Sequence, residues 1–90
     1  MVLWINYHER LGKIRDSVVH MAAIMEDQLA ANDDRPGHWS DMPRMNLIER
    51  CESQIKDLKS GNYHGENFQR TCADLANFAM MLAENERGGL

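Results

Sequence analysis

Long apolar runs are missing from this sequence. The one near its start, MVLWI, gives way to Asn6 after five residues, far short of a membrane span or of the apolar core of a signal peptide. No membrane association is expected, and the chain reads as cytoplasmic. A Lys/Arg-rich block is also missing: 14 acidic residues against 10 basic give a formal charge of −4, and aromatics make up only 7%. That combination excludes a general nucleic-acid binder, which needs a basic footprint and rings to stack on bases. Small charged ligands remain open. Cysteine is scarce. Cys51 and Cys72 lack CxxC spacing and fall on the apolar stripes described below, so free thiols are expected and not a disulfide or a metal site. His8-Glu9 starts like the zinc signature H-E-x-x-H, but Gly12 stands where the second His is required. His20 and His64 have no partners at metal-binding spacing. Strand-like alternation, internal repeats and low-complexity segments are absent too, which leaves an all-α fold.

What the sequence does have is helical periodicity. Its 90 residues make one small domain, with a core thin enough that association with a second copy is expected. Apolar residues recur at Trp4, Tyr7, Leu11, Ile14, Val18, Met21, Met25 and Leu29, in the three- and four-residue steps of one helix face. They predict a long N-terminal helix from Trp4 to Ala31. Gly12 marks a place where it either bends or gives way to a separate N-terminal turn. The segment NDDRPGHWSDMP then stops the helix with turn-forming residues. Ser40 or Asp41 is placed to cap the next helix, with Pro43 in its first turn.

A second helix carries Ile48, Cys51, Ile55 and Leu58 on one stripe and ends at Ser60-Gly61. After the turn SGNYHG, a third presents Phe68, Cys72, Leu75, Ala79 and Leu82, ending near Asn85 with ERGGL as a frayed tail. The short turn makes these two antiparallel neighbours, with the first helix packed on the pair. Off the apolar stripes lie two polar ones: Asn46, Arg50, Ser53, Gln54 and Asp57 on the second helix, and Asn67, Thr71, Asp74, Asn77 and Met81 on the third. Solvated helix faces favour Lys and Glu. These stripes hold short hydrogen-bonding groups suited to a cleft.

The order NDxxxGxW, then L-I-E-R-x-x-x-x-I-x-D-L, then C-A-D-L-A-N-F-A-M-M-L-A-E resembles the MazG-like family of all-α nucleoside triphosphate pyrophosphohydrolases, particularly short members common in bacteriophages. The resemblance covers about Met25 to Glu84, and its most specific part is Ala73 to Glu84. It implies a homodimer or higher homo-oligomer. It also implies a Mg²⁺ site built from an E-E-x-x-E cluster on one helix and an E-x-x-D pair on the next, with cleavage between the α- and β-phosphates by metal-activated water. This chain departs from that pattern. Ser53, Gln54 and Asp57 stand at the three Glu positions, and Thr71 and Asp74 at the Glu and Asp positions.

Magnesium needs hard anionic oxygens, so only Asp57 and Asp74 remain as weak metal ligands, and hydrolysis is expected to be absent or very slow. Ser, Gln and Thr can instead donate hydrogen bonds to phosphate oxygens. The expectation is a protein that binds or sequesters a nucleotide or nucleotide signal, in a phage as an anti-defence measure. Two alternatives stand beside it: an active Mg²⁺-dependent pyrophosphohydrolase that recruits Glu49 and Glu52, and a helical module that binds another protein. Further candidate ligand-binding residues are Trp39, as a base-stacking ring or a loop anchor, and His38 as a phosphate contact. Arg50 is either a phosphate ligand or the salt-bridge partner of Asp57. Asn77 would bond a ligand or orient Asp74, and Gln28 and Asn32 would reach the cleft from the end of the first helix.

Overall fold

The computed structural model describes residues 14–34 and 39–88, and every regular element among them is helical. Helix α1 spans Asp16–Ala30, a short 3₁₀ turn covers Trp39–Asp41, α2 spans Arg44–Lys59 and α3 spans Gly65–Gly88. The all-α class expected from periodicity is the one found.

The first helix differs from the expectation in one respect. Arg15 is extended, with φ −64° and ψ 146°, so α1 starts only at Asp16. Of the two options left open at Gly12, the continuous helix from Trp4 to Ala31 is therefore corrected: the helix among the described residues begins at Asp16. Asp16 takes over the start, placing a carboxylate in the first turn, where the helix dipole favours it. The expected segment from Trp4 to Lys13 lies outside the described residues.

Pro43 occupies the N-cap position of α2 instead of its first turn, and no side chain caps that end. Its carbonyl accepts from the amides of Asn46 (3.0 Å) and Leu47 (3.3 Å). The other end is built as its sequence suggests. Ser60 Oγ donates to the carbonyl of Asp57 at 2.6 Å and accepts from the amide of Asn62 at 3.2 Å, while Gly61 takes φ +76° to turn the chain. Helix α3 continues past Asn85 to Gly88. Arg44 pairs with Glu86 and Arg87 with Glu84 along this last stretch.

Two pairs of contacts fix the topology. Going from Arg44 to Arg50 along α2 corresponds to going back from Glu86 to Phe78 along α3. Going from Met25 to Gln28 along α1 likewise corresponds to going back from Asn77 to Asp74. Helices α1 and α2 are thus both antiparallel to α3 and parallel to each other. Each packs on α3, and α1 and α2 do not pack together. The domain is a layer of three helices with α3 in the middle, rather than a closed bundle.

That arrangement decides what is buried. Leu47 and Ala73 are completely inaccessible, and Met81, Thr71 and Asn77 are nearly so. Three of these five belong to the line Thr71, Asn77, Met81 that reads as a polar stripe. Phe68 and Ala79, from the apolar stripe of the same helix, are exposed. The reversal has a simple cause: a helix gripped on both sides buries two flanks, and α1 covers the flank carrying Asp74 and Asn77.

Candidate functional site

The described residues bring together one polar cluster, at the seam between α1 and α3. Gln28 Nε2 donates to Asp74 Oδ1 at 2.9 Å. One turn along, Asn77 Nδ2 donates to the backbone carbonyl of Met25 at 3.1 Å. Asn77 is 3% exposed, and its Oδ1 is buried with no hydrogen-bond partner. Such an orphaned acceptor costs about 1–3 kcal/mol. Thr71 is buried beside this line and donates its hydroxyl to the carbonyl of Asn67 at 2.9 Å, the usual local bond of a mid-helix threonine. Its proton is thereby committed within its own helix.

The polar stripe of α2 is built differently. Gln54 and Asp57 are half-buried and Ser53 is exposed. Continuing the α2–α3 register from Arg50 and Phe78 brings Gln54 level with Asp74 and Asp57 level with Thr71. No hydrogen bond or ion pair among the described residues links the two sets. Arg50 does not bridge to Asp57. Its guanidinium carbon lies 5.9 Å from the centre of the Phe78 ring, a cation–π placement at the edge of the α2–α3 interface.

The remaining candidates disperse. Asn32 Nδ2 turns back to the carbonyl of Gln28 at 2.9 Å, closing the end of α1 rather than reaching α3. Trp39 is half-buried and its carbonyl accepts from Asn85 Nδ2 at 3.1 Å, which pins this side of the loop to the end of α3. His38 lies outside the described residues. An open trough of about 490 Å³ lies between α1 and α3, lined by residues that include His20, Asp27, Glu66 and Arg70. It shares only Gln28 with the cluster, and the Arg70–Glu66 ion pair (2.6 Å) spans its charged rim.

The donor set does not suit a magnesium cluster. Of the five family positions only Asp57 and Asp74 are carboxylates, and one oxygen of Asp74 already accepts from Gln28. Among the described residues, no three His, Cys, Asp or Glu side chains gather in a way that would hold a metal ion. The resemblance to the MazG-like family supplies the Mg²⁺ expectation, and the residues in place do not meet it. No helix among the described residues is long and apolar enough to cross a membrane.

Two features escaped the sequence reading. The Met25 carbonyl is a backbone group that no side-chain pattern marks. Phe78, the ring under Arg50, lies four residues beyond Asp74, on neither of the stripes drawn for α3. A scan against protein-family models, a search of curated proteins and a search of solved structures find no match to this chain.

Proposed function

We propose that this chain is a nucleotide-binding protein of MazG-like design that has lost pyrophosphohydrolase activity and binds or sequesters a nucleotide or nucleotide signal. The observation that carries the reading is Arg50. Its guanidinium is held against Phe78 and makes no ion pair with any carboxylate among the described residues. Ser53 and Gln54 follow it within about one turn, with no side-chain hydrogen bond to another described residue. A phosphate group meeting this surface would find the fork of Arg50 and the uncommitted donors of Ser53 and Gln54. The sparse carboxylates support binding over hydrolysis, because two of them cannot neutralise the leaving phosphate and generate a nucleophile as a metal cluster would.

Calorimetry against mono-, tri- and cyclic nucleotides tests this directly. The expected result is binding of at least one of them, unchanged by EDTA and without pyrophosphate release. A flat response across the set overturns the proposal. Mg²⁺-dependent pyrophosphate release would instead establish the enzyme reading that recruits Glu49 and Glu52.

A second reading, association through the helical surface, is favoured by its own observation. Met45, Ile55 and Phe68 are 58%, 45% and 41% exposed, although Ile55 and Phe68 belong to apolar stripes whose periodicity marks them for burial. A three-helix layer leaves such residues uncovered, and a second copy pressed on the α2–α3 face would cover them. We read the protein as a homodimer or higher homo-oligomer on this ground, with another helical protein as the alternative occupant.

A further inference from the structure

We propose that α1 is a displaceable cover over Asp74 and Asn77. Four observations converge on this helix. It buries none of its side chains, whereas α2 buries Leu47 and α3 buries Thr71, Ala73, Asn77 and Met81. Among the described residues it packs on α3 alone, through half-buried Met21, Met25, Gln28 and Leu29, and leaves Val18 and Val19 more than half exposed. Its charge is poorly matched to its C-terminal end: the last turn contains no basic residue, and Glu26 and Asp27 lie toward the end where the helix dipole disfavours acids.

The fourth observation concerns what closure does to α3. With α1 seated, Asn77 Oδ1 is sealed away from water with no partner, and Asp74 is tied to Gln28. Lifting α1 hydrates the orphaned oxygen and releases the carboxylate, so the closed state contains a built-in penalty that the open state lacks. The α2–α3 pair keeps Leu47 and the Arg44–Glu86 bridge without α1. The groups revealed, the Asp74 carboxylate and the Asn77 amide one turn apart, offer acceptor oxygens together with the amide N–H released from Met25. They fit a guest presenting N–H donors, such as the amine edge of a nucleobase. This last step rests on the nucleotide-binding reading; the opening of α1 does not.

Hydrogen exchange followed by mass spectrometry on the full chain, without ligand, tests the opening. Amides of α1 should exchange about tenfold or more faster than those in the middle of α2 and α3. Gln28→Ala, which removes the tie to Asp74, should accelerate α1 about two- to tenfold and leave α2 and α3 unchanged. Equal protection in all three helices overturns the proposal, as does a Gln28→Ala effect spread evenly over the chain. If α1 opens as described but no nucleotide binds, the ligand reading fails and the cover stands.

Discussion

Asn77 reaches across 52 positions of sequence to donate its side-chain amide to the carbonyl of Met25, and in doing so leaves its own oxygen buried and unpaired. One residue therefore both registers α1 on α3 and weakens the contact it registers.

Asn77→Asp makes the conflict acute. A buried carboxylate facing a carbonyl oxygen is desolvated and repelled, which should destabilise the fold by about 2–4 kcal/mol at neutral pH. The protonated acid can donate to the Met25 carbonyl, so the loss should shrink as the pH falls toward the carboxyl range. Thermal unfolding of the variant and the parent at pH 7 and pH 5 reads the difference.

Leu47→Ala should be the most damaging single truncation of α2. The side chain is completely buried, and comparable substitutions cost about 2–5 kcal/mol. A urea midpoint lowered with an unchanged slope would show that stability, and not the extent of unfolding, has changed.

Ile55→Glu separates packing within the chain from packing between chains. At 45% exposure the charge can remain in water, so an isolated chain should lose less than about 1 kcal/mol. Sedimentation velocity should show a shift to monomer with helicity retained. An unchanged sedimentation coefficient would remove the α2–α3 face from the interface.

Arg50→Ala should weaken nucleotide binding about tenfold or more, because a charge-assisted phosphate contact is worth about 1.5–3 kcal/mol. Stability should fall by only about 0.5–1 kcal/mol, the scale of an exposed cation–π contact. Calorimetry and thermal unfolding on one sample separate the two effects.

Cys51 offers a pH test. Burial raises its thiol above the ordinary value of 9.0; a hydrogen bond involving its own backbone opposes the shift and nearby Glu52 adds to it. The neutral thiol is therefore favoured in the folded chain. Its contribution to stability is present at neutral pH and is lost as the pH climbs past the ordinary thiol value. In a Cys72→Ser background, iodoacetamide should label Cys51 more slowly than a free thiol peptide at pH 8, and the two rates should converge in denaturant.

Periodicity and turn chemistry revealed much of this architecture. The Ser60-Gly61 stop, the antiparallel α2–α3 pair and the helical class follow from local rules that one sequence displays. Which side of α3 faces inward does not. Thr71, Asp74 and Asn77 read as one stripe suited to a cleft because a helical wheel has no means of counting neighbours, and α3 has one on each side. Gln28 was marked as a candidate by its position near the end of α1, and its bond to Asp74 is a product of the α1–α3 register. For Arg50 the sequence offers phosphate or Asp57, and the ring that holds it belongs to the neighbouring helix. Local pattern identifies which groups are polar, whereas packing decides which of them meet.

The order of the helices also bears on how the chain is born. The residues that receive α1 lie in the last third of the sequence, so on a ribosome adding 5–20 residues per second α1 emerges roughly 3–10 s before its docking surface exists. In that interval Val18, Met21, Met25 and Leu29 have no native partner, and a neighbouring nascent chain or a chaperone meets them first.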